Sequence, residues 1–212
     1  MNKHSLYPIF LSLSGKLCSV IGGGSVALRK TRDLLEAGAD ITVVSEHPSQ
    51  EIIELSERGH IQLKTKRFEP DDIENAFLVF AATDDTLVNS RIAEAAKNIG
   101  ALFNAVDTPE LCAFFSGAVV KRGSLRIAIS TAGYSPGTAR QIRKELEELY
   151  PDSYGEFIEA AGEIRKYILS CENISPEVEK AALSWLSRKE TRMLFFECGK
   201  ERIWEELKKL IH

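Results

Sequence analysis

The chain has 212 residues, enough for one large domain or two small ones, and it is 44% hydrophobic and 27% charged. This composition is typical of globular proteins, and the longest apolar stretch, residues 76–82, is far shorter than the roughly 20 residues that cross a bilayer. A net charge of −4 argues against general nucleic-acid binding. The N-terminus lacks the apolar core of a secretory signal, and the scattered cysteines favour a reducing cytoplasm.

Short apolar or β-branched runs alternate with amphipathic helical patterns in the first half of the chain. We predict strands at residues 16–21, 40–45, 61–65, 77–82 and 101–104. Helices with one apolar face are predicted between them, at residues 25–37, 48–58 and 87–99. This alternation predicts an α/β fold, namely a Rossmann-type parallel sheet covered by helices.

The pattern changes in the second half of the chain. Two short strands, at residues 118–122 and 125–130, flank a Gly-Ser connection and predict an antiparallel hairpin. A helix over residues 137–149 follows, and the remaining sequence is helical, with a final helix over residues 189–210. A hairpin with one helix is too small to bury its own core, so we predict that this segment forms a homodimer. The predicted parts are a Rossmann domain, a dimerisation segment and an all-helical domain, at residues 1–113, 114–149 and 150–212.

A glycine-rich turn connects the first predicted strand to the first predicted helix. Residues 22–27 read Gly-Gly-Gly-Ser-Val-Ala, which fits the dinucleotide-binding pattern G-x-G-x-x-G/A. The glycines allow a tight turn and a close approach by a pyrophosphate, and the helix N-terminus offers it free amides. We therefore predict that Gly22, Gly23 and Gly24 bind a nicotinamide dinucleotide. The alternative is an ordinary tight turn between strand and helix.

The residue at the end of the second strand bears on the choice of dinucleotide. An acidic side chain there accepts hydrogen bonds from the ribose of NAD, whereas an arginine favours the 2′-phosphate of NADP. Glu46 holds this position, and no arginine follows before Arg58, so we predict NAD. The alternative is that Glu46 is an exposed residue before the helix that Pro48 begins.

Two polar patches are candidates for catalysis or substrate binding. Asn104 and Asp107 follow the last parallel strand, where ligands of open α/β sheets bind, and a carboxylate there can take a proton from a substrate. Asp107 with Glu110 also fits a helix capping box, which is the structural alternative. The hydroxyls of Ser130 and Thr131 can bind a ligand or supply ordinary turn and cap hydrogen bonds. The four histidines are far apart, so we predict no histidine-based metal site.

Several segments follow one another in a characteristic order: residues 20–30 (VIGGGSVALRK), 34–39 (LLEAGA), 81–85 (AATDD) with Val88 and Asn89, 104–107 (NAVD), and 127–131 (IAIST) with Ser135, Pro136, Ala139 and Arg140. This order resembles the precorrin-2 dehydrogenase family, the dehydrogenase and in some members chelatase part of siroheme synthases. The resemblance covers residues 7–149.

The resemblance implies an NAD-dependent dehydrogenation of precorrin-2 to sirohydrochlorin in siroheme biosynthesis, carried out by a homodimer. Ferrochelation of sirohydrochlorin is a second activity of some relatives, and there Asp107 would face the metal. By position, the resemblance implies cofactor contacts at Ser25, Val26, Glu46, His47, Thr83 and Asn104. It makes Asp107 the catalytic carboxylate. It implies substrate contacts at Ser130, Thr131, Ser135 and Arg140.

Two other functions compete with this interpretation. One is a non-catalytic Rossmann domain that senses a nucleotide and regulates a partner. The hairpin with Ser130 and Thr131 argues against it, since a sensor does not need that segment. The other is a small NAD(P) reductase with an unrelated substrate.

Overall fold

A computed structural model describes residues 6–105 and 108–211 of the chain. These residues form two compact units, with the boundary between Phe115 and Ser116. The boundary lies close to the predicted end of the Rossmann domain. The further division of the second unit into a dimerisation segment and a helical domain stays a prediction.

The first unit is built on a parallel sheet of five strands in the order β3-β2-β1-β4-β5. The strands are β1 (Leu17–Ile21), β2 (Asp40–Val44), β3 (Gln62–Lys64), β4 (Leu78–Ala81) and β5 (Leu102–Ala105). Every neighbouring pair is parallel. This parallel pairing confirms the predicted Rossmann-type sheet. The apolar runs of the sequence predict it correctly because strands buried on both faces are apolar along most of their length.

Helices cover both faces of this sheet. They are α1 (Ser25–Glu36), α2 (Gln50–Glu57) and α3 (Thr86–Asn98), with 3-10 turns at Pro70–Ile73 and Pro109–Leu111. Side chains alternate between the two faces along each strand. One face therefore packs Val20, Val43 and Phe80 with α1 and α2, and the other packs Ile21, Val79 and Phe103 with α3. Helix α2 begins at Gln50 rather than at residue 48, because Ser49 keeps an extended cap conformation.

The carboxyl ends of the strands meet at one edge of the sheet. Ile21, the last residue of β1, pairs with Val44 on one side and with Ala81 on the other. The strand order reverses between β1 and β4, and such a reversal opens a crevice at the carboxyl edge of an α/β sheet. The loops that follow β1, β2 and β4 border this crevice.

The second unit begins with a two-stranded antiparallel hairpin, β6 (Ala118–Arg122) and β7 (Leu125–Ile129), as predicted. Its helices are α4 (Pro136–Leu149), α5 (Ser153–Ser170), α6 (Pro176–Leu186) and α7 (Lys189–Ile211). The last three share an apolar core. The prediction of one continuous final helix is wrong at Gly199, where a φ of 83° breaks α7. Across the described part of the chain, no helix has the length and apolarity that crossing a membrane requires.

Candidate functional site

Gly22, the first residue of the turn, can only be glycine. Its φ is 131°, which side chains rarely tolerate. A Cβ atom here would also lie 2.2 Å from the carbonyl oxygen of Ala82. The Gly22 amide donates to the Val44 carbonyl at 2.9 Å, so the turn is held between the ends of β2 and β4.

The next two glycines have different surroundings. A Cβ on Gly23 would lie 2.3 Å from Ser45 Oγ and 2.4 Å from the His47 carbonyl oxygen, so this residue lets the turn pack against the loop after β2. A Cβ on Gly24 would meet no atom of the described chain within 4 Å. Gly24 is therefore the glycine at which a ligand can approach the backbone. The packing role of Gly23 is not visible in the motif, where that position accepts any residue.

The N-terminus of α1 is open to an anion. Gly24 is its N-cap, and no side chain in the described residues caps it. The first helical hydrogen bond runs from the Leu28 amide to the Gly24 carbonyl at 3.0 Å, so the amides of Ser25, Val26 and Ala27 precede the helical ladder. No acidic side chain lies in the first turn. Free amides and the positive end of the helix dipole attract anions, so this turn can hold the pyrophosphate of a dinucleotide.

A cleft of about 750 Å³ extends from this turn along the carboxyl edge of the sheet. That volume falls within the range of small-molecule sites. Its walls come from the loops after β1, β2, β3 and β4. The cleft brings together eight of the predicted cofactor residues: Gly22, Gly23, Gly24, Ser25, Val26, Glu46, His47 and Thr83.

The loop after β4 is fixed by a buried amide. Asn89, only 2% exposed, donates from Nδ2 to the Thr83 carbonyl at 3.1 Å and accepts from Thr83 Oγ1 at 2.7 Å. The Asp85 carboxylate caps α3 by accepting from the amides of Leu87 and Val88. Thr83 is therefore held at the cleft by two hydrogen bonds to Asn89 of α3.

Asn104 lies on β5 and does not line the cleft. Its side chain is buried and donates to the Phe114 carbonyl at 2.8 Å. The Phe114 ring meets Phe80 edge-on, with 5.4 Å between ring centroids. In this structure, Asn104 ties the segment after β5 to the sheet, and its role in cofactor binding stays a prediction.

Glu46, at the end of the cleft formed by the loops after β2 and β3, has a basic neighbour. Arg67 follows β3, and its Nε donates to Glu46 Oε2 at 3.0 Å. The sequence around Glu46, which has no arginine before Arg58, does not reveal this contact. The two residues are distant in sequence, and only the pairing of β2 with β3 brings them together.

Asp107, the predicted catalytic carboxylate, lies outside the described residues, so neither its catalytic role nor its capping role is tested. The described residues around it are anchored by Cys112. Its Sγ accepts from the Ala105 amide at 3.2 Å and donates to the Ala105 and Thr108 carbonyls. Burial raises the pKa of the Cys112 thiol, which keeps the proton that these hydrogen bonds use.

The predicted substrate residues lie close together in the second unit, between β7 and the first turns of α4. Ser130 Oγ and Thr131 Oγ1 accept from the amides of Ala132 and Ser135, both at 3.1 Å. Ser135 caps α4, and Arg140 contacts the Pro136 carbonyl. These contacts are the turn and cap hydrogen bonds of the structural alternative, and the substrate roles stay predictions. Among the residues described, no group of three or more His, Cys, Asp or Glu is placed to hold a metal ion.

The comparison with known families agrees with the cleft. Residues 9–118 match the family described as “Putative NAD(P)-binding”. The chain belongs to this family. In this NAD(P)-binding family member, residues 122–149 also match the family described as “Sirohaem biosynthesis protein central”. The predicted dinucleotide-binding domain is confirmed by the first match.

Individual relatives are similar over most of this chain. The siroheme synthase of Methylococcus capsulatus is 43% identical over 161 residues, which cover 76% of this chain and 34% of the relative. That of Nitrosospira multiformis is 41% identical, over 74% of this chain and 34% of the relative. The chain thus spans about a third of the length of these curated relatives. The solved structure of SirC, a precorrin-2 dehydrogenase, has a TM-score of 0.82 at 29% identity and covers 96% of this chain and 100% of that one.

Proposed function

We propose that this chain catalyses the NAD-dependent dehydrogenation of precorrin-2 to sirohydrochlorin in siroheme biosynthesis. One observation carries the proposal: the chain shares its fold over almost its whole length with SirC, whose full length is covered. The cleft at the carboxyl edge of the sheet supplies the cofactor site that this reaction requires. NAD, when bound, supplies the hydride acceptor.

Different residues of the cleft would contact different parts of the dinucleotide. The Gly22–Gly24 turn and the amides of Ser25 and Val26 would hold the pyrophosphate. Glu46 and His47 would lie at the adenosine side, because they follow β2, and Thr83 would contact the cofactor from the loop after β4. Asn104 belongs to the same proposal through the resemblance alone.

Asp107 is the proposed catalytic base. Dehydrogenation removes one hydride and one proton from the substrate, and a carboxylate can accept the proton. Ser130, Thr131, Ser135 and Arg140 are the proposed contacts to the tetrapyrrole, which offers carboxylates to their hydroxyls and to the guanidinium. These roles rest on the resemblance and on the position of each residue after a strand or at a helix start.

We further propose that the chain works as a cytoplasmic homodimer joined through residues 114–149. The hairpin supports this proposal because a two-stranded sheet with half-buried apolar side chains gains stability from a second surface. Light scattering on the purified protein is expected to give twice the monomer mass, and a mass that stays monomeric at every concentration would contradict the dimer.

Turnover of precorrin-2 with NAD tests the catalytic proposal. The wild-type chain should form sirohydrochlorin and reduced cofactor in equal amounts. Asp107→Ala should bind NAD normally and lower kcat by about 100- to 10,000-fold, which is the usual contribution of general acid–base catalysis. Glu110→Ala is the matched control, because Glu110 is the exposed second member of the alternative capping box.

The outcomes separate the two roles of Asp107. If Asp107 only caps the turn at Pro109–Leu111, both variants will lose stability alike and keep their turnover. Absence of wild-type turnover, in a protein that binds NAD, would contradict the proposed reaction.

A further inference from the structure

Two loops with opposite charges meet at one end of the cleft, where the proposed dinucleotide would place its adenosine ribose. Glu46 follows β2, and Arg67 follows β3, the neighbouring edge strand. The Arg67 guanidinium donates to the Glu46 carboxylate at 3.0 Å, and both residues line the cleft. The side chain of Arg67 is 86% exposed and that of Glu46 is 45% exposed, so solvent and ligands reach the pair.

The segment that carries Arg67 is anchored on both sides. Before it, Lys66 Nζ pairs with Asp72 Oδ2 at 3.2 Å and also with the Glu69 carboxylate. After it, Phe68 is buried in the apolar core beneath α3. Asp72 itself is nearly buried and also accepts from the Glu69 amide at 2.9 Å. The backbone at Arg67 is therefore fixed at the cleft, while its long side chain is free to turn.

The chemistry of this pair bears on the 2′ position of the adenosine ribose. A carboxylate after the second strand accepts from the ribose hydroxyls of NAD and repels the 2′-phosphate of NADP, whereas an arginine binds that phosphate. Here both groups stand at the same place. An exposed ion pair contributes little and opens easily, while hydrogen bonds from a guanidinium to a phosphate are strong and often bidentate. A 2′-phosphate can thus draw Arg67 away from Glu46.

We propose that Arg67 is a second specificity-determining residue of the cofactor site, and that it lets the cleft bind NADP as well as NAD. With NAD, Arg67 stays paired with Glu46, whose other oxygen can accept from the ribose. With NADP, Arg67 turns to the 2′-phosphate. The proposal rests on the dinucleotide-binding function proposed above.

Calorimetric titration with NAD and with NADP tests this proposal without any turnover. Wild-type affinities for the two dinucleotides should lie within about tenfold of each other. Arg67→Ala should weaken NADP binding by about tenfold or more, because it removes charge-assisted hydrogen bonds, and should change NAD binding by less than about threefold. Glu46→Gln should shift the preference towards NADP. Arg67→Lys should restore part of the lost NADP affinity, since it keeps the charge without the planar fork.

Arg58→Ala is the matched control. Arg58 is the C-cap that follows α2, is exposed, pairs with Glu54 at 3.9 Å and does not line the cleft, so this variant removes the same charge elsewhere. It should leave both affinities unchanged. If wild-type protein binds NAD but excludes NADP by more than about a hundredfold, or if Arg67→Ala leaves the ratio of affinities unchanged, the role of Arg67 is overturned while the proposed function stands. Failure to bind either dinucleotide would overturn the proposed cofactor function and this proposal together.

Discussion

Each of the three glycines in the turn has its own neighbours. A Cβ atom on Gly22 would collide with the Ala82 carbonyl, and one on Gly23 would collide with Ser45 and with the His47 carbonyl. A Cβ atom on Gly24 would meet no atom of the described chain. Gly22 and Gly23 are therefore required for packing, whereas Gly24 leaves its backbone accessible to a ligand. The three positions should respond differently to the same substitution.

Gly22→Ala should destabilise the first unit by about 3 kcal/mol or more, because it combines an unfavourable φ with a Cβ too close to a carbonyl oxygen. Gly162→Ala is the control. Gly162 lies within α5 in open space, so alanine there should raise stability by about 0.5–1 kcal/mol through helix propensity alone. Urea unfolding of both variants measures the difference, and equal midpoints would contradict the account of Gly22.

The pKa of Asp72 links the loop beside the cleft to pH. Burial acts to raise this pKa, but the Glu69 amide and the ammonium groups of Lys64 and Lys66 outweigh it and hold the pKa below its ordinary value of 3.8. The unfolded chain therefore binds more protons in this range, and stability rises with pH there. The contribution of Asp72 is complete above pH 3.8 and is lost as the pH falls through the lowered, folded-state pKa.

Asp72→Asn should remove this pH dependence and cost about 1–3 kcal/mol at neutral pH, since two lysines lose a buried carboxylate partner. Denaturant unfolding of wild type and variant from neutral to acidic pH measures the effect. The two curves should converge at the acid end. Curves that stay parallel at every pH would show that the Asp72 carboxylate does not titrate with the lowered pKa.

At the scale of elements, Arg122 joins the hairpin to the end of α4. Its guanidinium donates from Nε to the Tyr150 carbonyl at 2.7 Å and from a terminal nitrogen to the Glu147 carbonyl at 3.1 Å. It also pairs with Asp152 at 3.2 Å. The last carbonyls of a helix have no partner inside the helix, so a partly buried arginine that donates to them holds the two elements together.

Arg122→Ala should lower the stability of the second unit by about 2–3 kcal/mol, because the carbonyls at the end of α4 lose a charged donor. Arg122→Lys should recover only part of it, since a lysine cannot donate in a planar fork. Arg126→Ala, on the neighbouring strand, tests whether removing an arginine from the hairpin is by itself sufficient to lower the stability of the second unit by this amount. NAD affinity, which belongs to the first unit, should be the same in all three variants, and a parallel fall in affinity would contradict the assignment of separate roles to the two units.

At the scale of the whole molecule, the sequence predicts local and repetitive features well. Apolar runs predict the five parallel strands, and the Gly-Ser connection predicts the hairpin, because strand and turn patterns are set within a few residues. It does not predict the break at Gly199, because an isolated glycine in a helical pattern is compatible with a continuous helix.

In the candidate site, too, the features that depend on local sequence are predicted and those that depend on the tertiary fold are missed. The glycine turn and Glu46 are predicted because they lie at fixed offsets from strands. Arg67 is missed because its contact with Glu46 depends on which strand lies at the edge of the sheet, and that order is a property of the tertiary fold. The packing function of Gly23 and the hydrogen bond from Asn104 to Phe114 are missed for the same reason.

The proposed dinucleotide site depends on the open glycine of the turn and on the N-terminus of α1. Titration of NAD into wild-type protein and into Gly24→Ala, with the stability of both measured alongside, tests this dependence. The added methyl group meets no atom of the described chain, so the variant should stay within about 1 kcal/mol of wild-type stability while its NAD affinity falls by about tenfold or more. Equal affinity in a variant of equal stability would contradict the claim.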